Sequence, residues 1–299
     1  MPGPRNATEG RITVLTQHFA AEAVLARDVA AFPAPAVIAG LPIMEQRRLL
    51  DGLLTIRPPR PIEEDMADEL DDMLAQESAE RVADAGRPDA LELPVLAQTH
   101  GVDGPVGQRV ALWQGDLTTL RAGAIVNAAN QEMLGCRVPG HACIDNMVHA
   151  VAGPGLRAEC ARYMARRASR GQGGEPVGSA LVTGGYHLPA AHVIHTVGPE
   201  VSGAVGEADR ASLASCYRAV LDAAQDLGLD SVGLCSVSTG AFGYPRQDAA
   251  QVSLKAVETW LQDHPDSAMR IVLGVYGREG LRAYEEALRG AGSARRRRA

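Results

Sequence analysis

Cys136-x4-His141-x-Cys143 gathers two thiols and an imidazole in one short stretch. Soft sulfur together with nitrogen suits zinc, and three protein ligands leave one position open where a structural zinc site normally closes with four. A distant residue can close it, and His149, His187, His192, His195, Cys160, Cys216 and Cys235 are candidates. A helix starting near His141 would put Cys143 in its first turn, where the helix dipole favours a thiolate. Asp145 follows two residues later and has four readings: orienting a ligand, holding a sugar hydroxyl, acting as a base, or compensating the charge of a helix N-terminus. His149, four residues on, would share its helix face. Upstream, Ala124 to Val126 is an apolar run that ends in small and amide residues, as a central strand does where it delivers side chains to the edge of a sheet. Chemistry is therefore expected to begin at Asn127, with a second amide at Asn130.

Two other loops carry groups that a nucleotide would use. Gly115-Asp116-Leu117 follows the strand-like Arg109 to Gln114. A carboxylate at a strand end can accept a hydrogen bond from an exocyclic amine such as that of adenine, and aspartate is also a favoured helix N-cap. Ser236 to Pro245 follows a predicted strand and precedes a helix beginning near Arg246. Its glycines let the backbone approach an anion, and amides at a helix start point toward it. Ser238 and Thr239 add hydroxyls. With no lysine and no Gly-x4-Gly-Lys-Ser/Thr pattern, this is not the phosphate loop of an NTPase. A diphosphate that is held and not hydrolysed fits, beside the plainer reading of a strand-to-helix turn. The His-x-Glu and Pro-Cys-x-x-Cys pair of zinc deaminases is missing, as is the zincin His-Glu-x-x-His.

The elements that must position these groups divide the chain. From Arg11 to about Arg87 apolar residues such as Ile12, Leu15, Phe19, Ala23 and Ala26 recur at helical spacing, and prolines cut the stretch into helices over 11–31, 43–55 and 62–84. The acidic series from Glu63 to Asp72 reads as a solvated helix face. Residues 85–107, rich in Gly and Pro, look like a connector. Beyond it strands at 109–114, 124–126, 178–183, 193–197, 231–235 and 268–275 alternate with helices at 209–227, 246–262 and 277–289. That pattern indicates a sheet covered by helices on both faces, with ligands bound beyond the carboxyl ends of strands.

Composition narrows the function. A net charge of −7 and an aromatic share of 4% disfavour phosphate-backbone binding and a base-stacking surface, so a nucleic-acid partner is not expected. Arg295 to Arg298 forms a basic terminus that reads as solvated and disordered. Five cysteines, an odd and sparse set, point to reduced thiols or metal ligands, not a disulfide framework. No apolar run approaches the roughly 18 to 20 residues that span a bilayer, and Met1 to Asn6 lacks the apolar region of a secretory signal. No membrane partner and a cytoplasmic location are expected.

Taken together, Gly115-Asp116-Leu117, Ile125-Val-Asn-Ala-Ala-Asn130 and Ser238-Thr-Gly-Ala-Phe-Gly243 resemble the macrodomain family of ADP-ribose-binding modules over about residues 106–292. The insertion from Gly135 to Gly153 looks specific to the zinc-dependent microbial branch, whose members remove ADP-ribose from proteins. Gln46 to Leu54 with Arg57 to Pro61 looks like that branch's helical extension. The resemblance implies an α/β macrodomain, a three-layer α/β/α sandwich with a mixed central sheet over 106–292. A helical extension with connector would precede it at 1–105 and a basic tail would follow at 293–299. It further implies that Asp116, beside Leu117, binds the adenine amine and that Ser238, Thr239, Gly240, Ala241 and Phe242 wrap the diphosphate. Asn127 and Asn130 would contact or position the distal ribose, and Cys136, His141 and Cys143 would hold Zn2+ beside it. With Asp145 assisting, the expected activity is release of mono-ADP-ribose from modified protein side chains, the zinc polarising a ribose hydroxyl or activating a water. A non-catalytic ADP-ribose reader and a hydrolase of small ADP-ribose esters are the rival expectations. Two positions depart from the family: Gly123 stands where Asp is usual, and Arg137 where an aromatic is common.

Overall fold

The structure, a computed structural model, describes residues 4–27 and 33–296. Four helices come first: α1 (Pro4–Leu25), α2 (Pro35–Ala39), α3 (Ile43–Ile56) and α4 (Glu64–Asp84). The helix expected at 11–31 starts earlier and ends at Leu25, and the short α2, built on Pro35 in its first turn where a missing N–H costs nothing, was not foreseen. Leu15, Phe19, Leu50, Leu53, Leu70 and Met73 bury the facing sides of α1, α3 and α4 in a core of their own. The chain leaves α3 through Arg57, itself buried. Its guanidinium donates to both carboxylate oxygens of Glu22 at 2.9 Å and to the carbonyls of Arg60 and Pro61 at 2.8 Å. A desolvated cation is thereby fully partnered.

The stretch read as a connector is packed. It holds α5 (Leu96–His100) and α6 (Gly104–Arg109), and Ala90, Leu96 and Val106 join the larger core. Beyond it six strands form one mixed sheet: β1 (Val110–Gln114), β2 (Ala124–Ala129), β3 (Leu181–Gly184), β4 (His192–Val197), β5 (Ser231–Leu234) and β6 (Arg270–Val275). Their order is β1-β6-β5-β2-β4-β3, all parallel except the antiparallel edge strand β3. The central strands are apolar runs buried on both faces, as a covered parallel sheet requires. The intervening helices are α7 (Ile144–Ala152), α8 (Pro154–Ser169), α9 (Glu207–Asp226), α10 (Arg246–Asp263) and α11 (Arg278–Arg296). Helix α8 escaped the sequence reading. Helices α7 and α8 pack on each other against β2 and β3, and the parallel crossovers from β4 to β5 and from β5 to β6 carry α9 and α10, which pack on each other. The expected α/β/α sandwich with a mixed sheet is therefore what the chain forms. Helix α11 enters the segment 293–299, whose last three residues, 297–299, lie outside the described ones.

Two details of this fold decide where a ligand can sit. Strand β2 feeds a connection to one side and its neighbour β5 a connection to the other, and the two pair only at Ala124 and Ile125. Their carboxyl ends open at a topological switch point. Between α7 and α8 the chain turns at Gly153, φ +84°, where a Cβ would lie 2.6 Å from Leu74 of α4. The N-terminal helices thus press on the α7–α8 corner. Among the described residues no helix is long and apolar enough to cross a membrane.

Burial pushes the Glu22 carboxyl up, but the hydrogen bonds and charges of Arg57 and Arg60 outweigh it and leave the pKa lowered. Stability from this group is present above its unfolded pKa and disappears as the pH falls through the lower folded one. Glu22→Gln should cost about 1–3 kcal/mol at pH 7, measured by urea denaturation, and the difference from wild type should shrink in acid.

Candidate functional site

A cavity of about 750 Å³ opens over the carboxyl ends of β1, β2, β5 and β6. Its wall carries Asp116 and Leu117 after β1, Asn130, Cys136, His141, Cys143 and Asp145 after β2, and Ser238, Thr239, Gly240, Ala241 and Phe242 after β5. Every residue given a role in the implied ADP-ribose and zinc site faces this one space except Asn127. That amide is fully buried behind the wall. The sequence reading missed Tyr276, Arg278 and Glu279 after β6, together with Arg246 at the start of α10. The end of β6 followed by Gly277 was a usable signal, because it is a further strand end at the same edge of the sheet.

At one end Asp116 does two things. Its Oδ1 accepts from the amide and hydroxyl of Thr118, at 2.9 and 2.7 Å, which caps the 3-10 turn Leu117–Thr119. Its Oδ2 accepts from Arg81 Nη2 of α4 at 2.6 Å, and the same nitrogen donates to Thr118 Oγ1 at 2.8 Å. No sequence spacing pointed to Arg81.

The loop from Ser236 to Pro245 is held by its ends. Tyr217 Oη donates to the Cys235 carbonyl at 3.2 Å and accepts from Val237 N at 3.1 Å, and the Phe242 carbonyl accepts from Val201 N at 2.8 Å. Between these anchors the amides of Ser238, Gly240, Ala241 and Phe242 donate to no protein acceptor among the described residues. Ser238 itself takes φ +65°, which disfavours a side chain, and its hydroxyl is buried with no partner. Such a row of unengaged amides and a hydroxyl is suited to an anion. Gly198 makes room for it, because a Cβ there would stand 2.0 Å from Ser238 Oγ.

At the other end lie the sulfur ligands. The Cys136, His141 and Cys143 donor atoms all fall within 4.8 Å of one another, with Cys136 Sγ 3.1 Å from His141 Nδ1. Two thiols and an imidazole at that separation fit zinc. No fourth His, Cys, Asp or Glu joins them among the described residues. Helix α7 begins at Ile144, later than expected, because His141 and Cys143 close tight turns onto the Val138 and His141 carbonyls. Cys143 is thus the N-cap, its sulfur accepting from Asn146 N at 3.4 Å. Burial pushes its thiol up to about 11, against that hydrogen bond and with Cys136 beside it.

Asn130 spends its side chain on its own loop, accepting from Glu132 and Met133 amides and donating to the Gly135 carbonyl at 3.0 Å. Beneath it Asn127 Nδ2 donates to Asp145 Oδ1 at 2.8 Å. Burial raises the Asp145 carboxyl to about 6, while the Asn127 hydrogen bond and the Arg157 charge pull the other way. Three of the distant candidate ligands, His149, Cys160 and His195, form a second, fully buried group that could hold a metal. Of the others, His187 pairs with Asp71 at 3.0 Å, Cys216 and Cys235 are buried in the core, and His192 begins β4.

The Macro domain family matches residues 126–253. A protein-ADP-ribose hydrolase of Staphylococcus aureus (strain MSSA476) is 37% identical over 240 residues, 80% of this chain and 83% of that protein. One of the same name from Treponema medium is 37% identical over 242 residues, 81% of this chain and 87% of that one. Among solved structures, the Trypanosoma brucei macrodomain in complex with ADP-ribose superposes with a TM-score of 0.58 at 29% identity, covering 77% of this chain and 92% of that one. Gly198→Ala should displace the Ser238 turn and cost about 1–3 kcal/mol, visible as a lower denaturation midpoint with an unchanged m-value.

Proposed function

The chain belongs to the macrodomain family, and from that membership we propose that it is a zinc-assisted hydrolase releasing mono-ADP-ribose from modified protein side chains. The observation that carries the reading is a single cavity whose wall includes a carboxylate, a loop of unengaged amides and a Cys/His cluster beside a second carboxylate. Asp116 accepts from the adenine amine. The amides of Ser238, Gly240, Ala241 and Phe242, with the Ser238 hydroxyl, hold the diphosphate. The distal ribose then lies toward Asn130 and Asp145. The two S. aureus and Treponema relatives bear the name of this activity, which favours it over a reader.

Zinc, when bound by Cys136, His141 and Cys143, supplies Lewis acidity next to the ribose end. The chain's own groups do the rest. Water attacks the anomeric carbon of the distal ribose as the bond from that carbon to the protein side chain breaks, and Asp145 accepts the water's proton on the oxygen that Asn127 leaves free. Asn130 keeps the 131–135 loop folded against the ribose. The side chain departs with the electron pair of the broken bond, the proton on Asp145 passes to it or to solvent, and free ADP-ribose remains.

The test is a time course of ADP-ribose release from mono-ADP-ribosylated proteins carrying acidic-residue, serine or arginine linkages, with and without a chelator. Release from at least one linkage is expected, and Cys136→Ala or His141→Ala should abolish it. Undiminished turnover by metal-free protein would overturn the role of zinc. Binding without release would make the chain a reader. Separately, Asp116→Ala should weaken ADP-ribose binding about 10- to 100-fold by calorimetry, the size of a lost hydrogen bond to a charged group.

A further inference from the structure

Beneath the wall of the cavity lies a line of buried polar groups that the proposed reaction does not itself use. The sheet register creates it. Asn127 of β2 is paired directly with His195 of β4, so the two side chains rise from the same face. Thr183 of β3 pairs with Val193 and so stands diagonally beside His195. Asn127 Nδ2 lies 3.1 Å from His195 Nδ1, and His195 Nε2 lies 3.0 Å from Thr183 Oγ1. All three side chains are buried, His195 and Asn127 completely.

The directions of these hydrogen bonds follow from one end. Asn127 Nδ2 lies 2.8 Å from Asp145 Oδ1, so the amide presents its NH2 group to that oxygen. The second hydrogen of that NH2 then points at His195 Nδ1, which must be the bare nitrogen. His195 therefore carries its proton on Nε2 and donates to Thr183 Oγ1, whose hydroxyl has the Gly184 and Val193 carbonyls as acceptors at 3.3 and 3.4 Å. Burial lowers the His195 pKa to about 3, so the ring is neutral at physiological pH and carries one ring proton. The arrangement has a cost: Asn127 Oδ1 is left buried with no partner. Turning the amide over would satisfy nothing at Asp145 and set two acceptors against each other.

We infer that His195 is a positioning residue, which holds the Asn127 amide in the one orientation that pins Asp145 Oδ1 and leaves the other carboxylate oxygen for the cavity. This rests on the reading of Asp145 as the proton acceptor. A metal at the His149, Cys160 and His195 group would need one of the same His195 nitrogens, so the two uses exclude each other.

The experiment compares His195→Leu, His195→Asn and Thr183→Val in the full-length protein, with thermal melting and metal analysis of each. An asparagine side chain can offer its carbonyl oxygen where His195 Nδ1 stood; leucine offers no acceptor. Folded His195→Leu should lose about 10- to 100-fold in kcat with little change in KM and no change in metal content, the range seen when groups that orient reactive residues are removed. His195→Asn should recover most of that loss, and Thr183→Val should fall between them. An unchanged kcat in His195→Leu, a loss that asparagine does not recover, or the disappearance of a second equivalent of metal overturns the inference. Nitrogen NMR of the His195 ring tests the chain of bonds without turnover: a neutral ring protonated at Nε2 is expected, and one protonated at Nδ1 overturns it. Absence of ADP-ribose release by wild type would instead refute the proposed function and leave the NMR result standing.

Discussion

The guanidinium of Arg157 is the tie on which the arrangement of the molecule depends. Rising from the first turn of α8, it donates through Nε to the Leu134 carbonyl at 2.9 Å and through Nη1 to the carbonyls of Leu54 and Arg57, at 2.6 and 3.1 Å. Those last two carbonyls belong to the end of α3, where a helix leaves its acceptors unmatched and its dipole is negative. Arg137 reaches the same helix end, donating to the Ile56 carbonyl at 3.1 Å. Burial, with Arg137 close by, lowers Arg157 to about 10, which still leaves it charged at neutral pH. Two arginines from the α/β part thus cap a helix of the N-terminal region; Arg137 follows Cys136 directly, and Arg157 holds the Leu134 carbonyl two residues before it. The loop carrying the sulfur ligands is braced from both sides by the same contacts that dock α3.

The distribution of unsatisfied groups is equally uneven. Among the described residues, buried side-chain atoms without a partner occur at Gln46, Arg81, Asn127, His149 and Ser238. Ser238 lies on the cavity wall, Asn127 and His149 lie directly against Asp145, and Arg81 holds Asp116. Only Gln46 is remote. Most buried polar atoms in folded proteins find partners, and departures concentrate where a structure serves something other than stability.

Much of this could be read from the chain itself where the signal was local. Cysteine spacing picked out the sulfur cluster, and glycines beside hydroxyl residues after a buried strand picked out the anion loop. Both depend on neighbours a few residues apart. What escaped depends on contacts between distant segments. Arg81 meets Asp116 only because α4 packs across the 3-10 turn, Arg157 sits in a helix of weak apolar periodicity, and His195 becomes informative only when register sets it opposite Asn127. Asn127 illustrates the boundary. Its position at a strand end was legible, but which face of the sheet it occupies, and therefore whether it lines the cavity or stands behind it, is decided by α7 settling over it.

The Arg81–Asp116 pair gives the N-terminal helices a thermodynamic voice in ligand binding. A carboxylate that both docks α4 and lines the cavity takes part in two equilibria at once. Any ligand that prefers Asp116 as Arg81 orients it must, by reciprocity, tighten the hold of α4 by the same free energy. Occupancy of the cavity and protection of α4 backbone amides from solvent exchange are then two readings of one coupling.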